Sequence, residues 1–242
     1  MLIGVLALAG LLAGWLQRAI VIRYAVPAGQ PPCQNCPSCG LRLASRWLLA
    51  PSGDLAGRCP GCRHRLEPPP LLTGMISAVL LGALAARVHP GLVLAAACWL
   101  ALCCVPLGFI DAAVHRLPDL LTAPAYGGTV TLLLAAAVAG EDWHALVRAL
   151  FGGAALAGLC LILTVLSPSG MGLGDVKLAA ALGTLLAWSG WRALLGGTLA
   201  GFALAALYGI VLLVTHRATR KQHIAFGPFL IAGAFAVLLA AP

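Results

Sequence analysis

Apolar residues fall in long runs broken by short polar stretches. The runs cover 2–22, 71–88, 91–110, 120–139, 145–166, 176–188, 193–214 and 224–241. Most approach the ~20 residues a helix needs to cross the hydrocarbon core of a bilayer. The pattern predicts an all-α, polytopic membrane helix bundle of about eight segments. The run at 176–188 is shorter than a full span and is read as partly re-entrant. One long polar insertion, 24–70, interrupts the series. The chain therefore divides into a first transmembrane helix (1–23), a cytoplasmic loop (24–70) and a membrane core (71–242). The first run has no charged segment before it, and Arg18 and Arg23 stand at its far end. That charge order suits a retained span with its N-terminus outside better than a cleaved signal peptide.

Composition supports this reading. Hydrophobic residues make up 61% of the 242, charged ones 9%, and the mean hydropathy is +0.99, whereas a soluble domain carries about 25% charged residues. A net charge of +8 would suggest a nucleic-acid partner in a soluble chain. Here the bilayer is the expected partner and nucleic acid is not, because the basic residues gather in loops. Arg42, Arg46, Arg58, Arg63 and Arg65 lie in the insertion, and Arg116, Lys177, Arg217, Arg220 and Lys221 fall on the same side of the predicted topology. The positive-inside rule makes that side cytoplasmic. The turns around Arg87–Pro90, Glu141–His144 and Trp188–Arg192 are then outside.

Four of the nine cysteines stand at metal spacing. Cys36-Pro37-Ser38-Cys39 and Cys59-Pro60-Gly61-Cys62 make C-x2-C, nineteen residues, C-x2-C, a four-thiolate zinc pattern. Gly40 and Gly61 suit the tight turns such knuckles need. A segment this small has too little apolar area for its own core, so a bound metal would supply its folding energy. Cys33 and His64 are nearby alternatives, read as bystanders. Cys98, Cys103, Cys104 and Cys160 lie in apolar runs, where cysteine is usually a small buried hydrophobe.

The acids carry the candidate chemistry. Asp175 closes Gly170-Met171-Gly172-Leu173-Gly174-Asp175-Val176-Lys177, between two apolar runs, and Asp111 ends another. Ionisable groups at such depth are costly and read as functional. Both reach the cytoplasmic face on the predicted topology, as does Asp119. Two neighbouring carboxylates ionise one at a time, so one serves as base toward water while the other donates a proton. Asp111 and Asp175 fit this pair. Asp119 begins a run and reads instead as a first-turn anion favoured by a helix dipole, whereas no cap role is evident for Asp111. Gly170, Gly172 and Gly174 offer a side-chain-free edge for an approaching substrate backbone. Lys177 reads as an interfacial lysine that could also favour ionisation of Asp175. A zinc-regulated membrane transporter or ion relay is the alternative reading. It would favour acids at mid-span and inverted repeats, and neither is visible.

Taken in order, these motifs resemble the type IV prepilin leader peptidase family, integral-membrane aspartic peptidases of the Gly-x-Gly-Asp type. The carriers are the double C-x2-C loop, Ile110-Asp111 with Leu117-Pro118-Asp119-x2-Thr122, the stretch Gly170–Leu178, and Phe226-Gly227-Pro228-Phe229. The resemblance covers nearly the whole chain. It implies that Asp111 and Asp175 are catalytic, in an endopeptidase of the bacterial inner membrane. Its substrates would be prepilins or pseudopilins of type IV pili and protein secretion, whose short basic leaders are removed at the cytoplasmic face. Many family members also N-methylate the new N-terminus with S-adenosylmethionine. This chain departs from the family where that activity is concerned. It reads Gly14-Trp15-Leu16-Gln17-Arg18-Ala19 in place of Gly-Ser-Phe-Leu-Asn-Val, Pro70 in place of an acid before Leu71-Leu72-Thr73, and Ala225 in place of proline before Phe226. The expectation is intact proteolysis with zinc in the loop, and S-adenosylmethionine only if methylation is retained.

Overall fold

The computed structural model describes all residues except 28, 37, 43–57, 60, 141, 167–170, 216–224 and 241–242. Among the described residues it has eight helices: α1 Leu2–Tyr24, α2 Pro70–Arg87, α3 Leu92–Val114, α4 Asp119–Val138, α5 Trp143–Leu166, α6 Leu173–Ser189, α7 Trp191–Val214 and α8 Gly227–Ala240. Each predicted run corresponds to one helix. α1, α3, α4, α5 and α7 are long and apolar enough to cross a membrane, and α2 and α8 are shorter apolar helices. The chain is a multi-pass membrane protein.

Neighbouring helices approach each other closely at several glycines. Gly10 and Gly14 of α1 lie against the backbone of Ser77 and Gly74 in α2. Gly152 and Gly153 of α5 face Ala187 and Thr184 of α6, and Gly201 of α7 faces Leu230 and Gly233 of α8. Lipid is as apolar as the helices, so such close packing is a main source of helix association. Gly158 is not one of these contacts, for a side chain there would meet open space.

The short run at 176–188 is the centre of the bundle. It forms the continuous helix α6, buried at every residue from Ala181 to Trp188. Helices α4, α5, α7 and α8 surround it. Its last carbonyls are capped by Arg148 of α5, whose Nε donates to Ala187 O at 2.7 Å and whose guanidinium also donates to Trp188 O at 2.6 Å. A cation there complements the negative end of the helix dipole.

One buried polar side chain, Gln17, is accounted for by a broken backbone bond. Pro106 within α3 has no N–H, so it leaves the carbonyl four residues earlier, Leu102, without its helical donor. Gln17 of α1 supplies the replacement, with Nε2 donating to Leu102 O at 3.0 Å. Ser77 Oγ donates to Gln17 Oε1 at 2.8 Å, so the buried amide uses both its ends. An unmet carbonyl in this setting costs roughly 1–3 kcal/mol.

One end of the bundle gathers the polar features. Arg18 of α1 is buried, and its guanidinium donates to Pro68 O at 3.0 Å and Leu66 O at 3.3 Å. It thereby ties the four-cysteine loop to the membrane core. Arg116, in the α3–α4 turn, donates to Pro27 O at 3.4 Å. Asp111, Leu117, Asp119 and the start of α6 share this end.

Candidate active site

Asp111 sits in the last turn of α3. His115 takes a left-handed conformation (φ 51°, ψ 43°) to end that helix, and its N–H donates to Asp111 O at 2.8 Å. The C-terminus of its own helix is an unfavourable place for a carboxylate. A different helix supplies the compensation. The Gly227 N–H, at the first residue of α8, donates to Asp111 Oδ2 at 2.9 Å. Helix N-termini leave such donors unpaired and carry partial positive charge. Asp111 therefore has a cap role after all, toward a helix that begins more than a hundred residues downstream.

Asp175 sits in the first turn of α6. Its Oδ2 accepts the Gly172 N–H at 3.0 Å, and its own N–H donates to Gly172 O at 3.0 Å. This reciprocal pair is the acidic half of a capping box. Asp111 and Asp175 are 3% and 7% exposed. Both approach Gly227: a Cβ placed there would lie 2.8 Å from Asp111 Oδ2 and 3.5 Å from Asp175 Oδ1. Each carboxylate thus has one oxygen fixed by a helix N-terminus, and the two meet around one glycine. Among the described residues, Asp175 Oδ1 is buried with no hydrogen-bond partner. The sequence does not single out Gly227 for the site; its only local signal is a glycine followed by proline near the start of an apolar run.

The remaining candidates separate. Asp119 is the first residue of α4 and pairs with Lys177 Nζ at 2.6 Å, both side chains largely exposed. Lys177 thus engages the surface carboxylate. Gly174 does not belong to an open edge. Gly170 lies outside the described residues. Gly174 is filled on its free side by Leu117: a Cβ there would be 2.7 Å from Leu117 Cβ and 3.1 Å from Leu117 O. Its lack of a side chain lets α6 pack on the α3–α4 turn, which corrects the expectation that substrate approaches there. Gly172 is exposed, and a Cβ placed there would meet nothing nearer than 3.8 Å.

The four cysteines come together. Their sulfurs all lie within 4.8 Å of one another, with Cys36–Cys62 and Cys39–Cys59 each at 3.7 Å. A tetrahedral zinc with bonds of about 2.3 Å holds its sulfurs ~3.8 Å apart, so the donor set fits one zinc with all four positions taken by protein. The two knuckles repeat the same bonds. Cys36 N–H donates to Leu41 O and Gly40 N–H to Cys36 O, matched by Cys59 to His64 O and Arg63 to Cys59 O. The left-handed residue is Gly40 (φ 71°) in the first and Arg63 (φ 57°) in the second. Gly61 does not take that role; a Cβ placed there would lie 3.5 Å from Cys39 Sγ. Cys33 stands outside the cluster and donates to Asn35 O at 3.1 Å.

Comparison with known proteins is consistent with this geometry. Residues 94–214 match the model of the type IV leader peptidase family. A prepilin leader peptidase/N-methyltransferase of Aeromonas salmonicida is 35% identical over 217 residues, 86% of this chain and 71% of the relative. One of Dickeya chrysanthemi is 33% identical over 247 residues, 93% of this chain and 82% of the relative. One of Burkholderia pseudomallei is 35% identical over 222 residues. No solved structure matches the chain.

Proposed function

The chain belongs to the type IV leader peptidase family, and we propose that it removes leader peptides from prepilins with Asp111 and Asp175 as its catalytic pair. The observation that carries the assignment is the meeting of the two carboxylates at Gly227, with Asp175 Oδ1 left unpartnered among the described residues. One carboxyl holds the proton and the other removes a proton from water. That water attacks the scissile carbonyl while the protonated carboxyl donates to the carbonyl oxygen; the C–N bond then breaks as the former base gives the proton it took from water to the leaving amine and the other carboxylate takes back a proton from the diol. The pair titrates as a unit. No covalent intermediate is required. The backbone N–H groups of Gly172 and Gly227 orient the carboxylates.

Peptide hydrolysis needs an extended segment, because a helix hides its carbonyls in internal bonds. The scissile bond therefore sits at the end of the bundle that carries Asp111 and Asp175. The basic loops support a cytoplasmic orientation for this end, and the family match supports the inner membrane as its location. The loop 24–70 would hold one structural zinc through Cys36, Cys39, Cys59 and Cys62. The metal would supply folding energy, and Arg18 would pass the resulting rigidity to the membrane core. S-adenosylmethionine enters as a cosubstrate only for a methylation step, whose associated positions are altered at Arg18, Pro70 and Ala225. The transporter reading has no support in the family match.

The test is incubation of the purified protein with a prepilin, followed by mass measurement of the product. Loss of the leader is expected from wild type and from neither Asp111→Asn nor Asp175→Asn. Cleavage near wild type by either variant would sink the assignment. The same spectrum shows whether the new N-terminus gains a methyl group.

A further inference from the structure

Pro106 divides α3 into two portions, and the second carries Asp111. Proline has no N–H to tie the two portions together at Leu102 O, and its ring crowds that carbonyl. Sharp bends in helices fall at such points. Leu102 stands ten residues after Leu92 and twelve before Val114, so either end of the span is roughly 15–18 Å away. At that depth water is not at hand, and the donor that meets the carbonyl comes from another helix: Gln17 Nε2 of α1, at 3.0 Å.

Gln17 is itself fixed. Ser77 Oγ of α2 donates to its Oε1 at 2.8 Å, so the amide cannot turn without losing a bond. Gln17 and Ser77 are 4% and 0% exposed. One turn before Gln17, Gly14 lies against the backbone of Gly74, and Thr73 Oγ1 donates to Gly14 O at 2.9 Å. The donor thus belongs to a close-packed pair, α1 and α2, that carries neither aspartate. The effect on the site follows from the length of the arm. Asp111 lies five residues beyond Pro106, roughly 7.5 Å along the axis. A change of about 10° in the bend would move it by roughly 1.3 Å. Asp111 Oδ2 accepts the Gly227 N–H at 2.9 Å, and a shift of that size takes the contact out of hydrogen-bond range. Misplacing a reacting group by about 1 Å can cost ~10²-fold in rate.

We propose that Gln17 is a positioning residue for Asp111: it takes the place of the N–H that Pro106 lacks, fixes the bend of α3, and so sets where the Asp111 carboxylate meets Gly227 and Asp175. The proposal rests on the peptidase reading above. The two bonds of the Gln17 side chain go to Leu102 and Ser77, so it acts through the helix and not on the substrate.

The test uses the full-length protein in lipid nanodiscs and two substitutions. Gln17→Leu keeps the bulk of the side chain and removes the donor. Pro106→Ala restores a backbone N–H for Leu102 O. With a prepilin as substrate, Gln17→Leu is expected to lower kcat about tenfold or more with KM little changed. In the Pro106→Ala background the same substitution should cost about twofold or less, because the two changes act on one carbonyl. Equal cost in both backgrounds, or wild-type turnover by Gln17→Leu, overturns the proposal. If Gln17→Leu alone does not fold, the double variant decides: cleavage at the rate of Pro106→Ala supports the proposal, and a second failure to fold overturns it. A readout without activity separates positioning from general loosening. Hydrogen exchange read by mass spectrometry compares the Gly227 amide, held by Asp111, with the Asp175 amide, held by Gly172 O. Gln17→Leu should speed exchange at Gly227 and leave Asp175 unchanged, and in the Pro106→Ala background it should move neither. Equal acceleration at both amides, or none at either in the otherwise wild-type chain, overturns the proposal. A wild type that leaves the prepilin uncleaved would refute the peptidase reading, whereas exchange at Gly227 still decides whether Gln17 places Asp111.

Discussion

Replacing Gly227 by alanine adds one methyl group at the point where both carboxylates converge. The new Cβ would lie 2.8 Å from Asp111 Oδ2 and 3.3 Å from its Cγ. Something must therefore move by several tenths of an ångström, and the carboxylate is the nearest group. The shift lengthens the 2.9 Å bond from the Gly227 N–H, a charge-assisted contact worth about 1.5–3 kcal/mol. Gly227 is not among the glycines with positive φ, so alanine is not penalised by backbone conformation, and its higher helix propensity returns roughly 0.5–1 kcal/mol. Net destabilisation of the fold is thus small. Catalysis is more sensitive, since misplacing a reacting group by about 1 Å can cost ~10²-fold. The expected result is cleavage reduced by one to two orders of magnitude, about 1.4–2.8 kcal/mol, with a thermal midpoint near wild type. Gly158→Ala is the control, because a side chain there meets open space. The assay is the initial rate of leader removal beside the unfolding midpoint in the same detergent. Wild-type turnover by Gly227→Ala would refute the claim that this glycine sets the carboxylate geometry.

Three further outcomes follow from the placements of other residues. Asp119→Asn should keep most of its cleavage activity, because Asp119 pairs with Lys177 on the surface and exposed pairs contribute about 0–1 kcal/mol; complete loss would move the catalytic assignment to Asp119. Cys59→Ser with Cys62→Ser should abolish zinc in metal analysis, and chelation should loosen the 24–70 loop to proteolysis; stoichiometric metal in the double variant would refute the four-thiolate site. Gly174→Val should lower the unfolding midpoint together with activity, because the added carbons collide with Leu117; a fully stable, inactive variant would restore substrate approach as the role of this glycine.

Element number and type were legible because membrane-spanning runs leave a strong, local signal. All eight runs became helices, and their ends moved for understandable reasons. α3 continues past 110 to Val114, since Ala112 and Ala113 do not break a helix, and this places Asp111 inside the last turn. α6 starts three residues earlier than its apolar run and so includes Leu173 and Gly174. The run's shortness concealed its centrality: a helix walled by other helices needs no full lipid-facing length. Nothing local marks partners that are far apart in sequence. The capping of α8 by Asp111 joins two ends that share no periodicity, and Gln17 is explained only by Pro106, on another helix. The Lys177–Asp119 pair was equally invisible, because hydropathy assigns a charged residue to a face of the membrane without naming its partner there.

The double use of Asp111, as helix cap and as reacting group, separates two substitutions that a purely catalytic role would not distinguish. Asparagine keeps an oxygen that accepts the Gly227 N–H but cannot serve as acid or base at this site. Alanine removes both functions and leaves a buried N–H at the start of α8 without its acceptor. Loss of a capping side chain costs about 0.5–2 kcal/mol, and an abandoned buried donor about 1–3 kcal/mol. Both variants should be inactive, yet Asp111→Asn should unfold near the wild-type temperature while Asp111→Ala unfolds several degrees lower. Differential scanning of the two purified proteins, with leader cleavage measured alongside, reads both quantities. Equal stability of the two variants would show that the contact with Gly227 contributes nothing to holding α8. The carboxylate would then be placed by α3 alone.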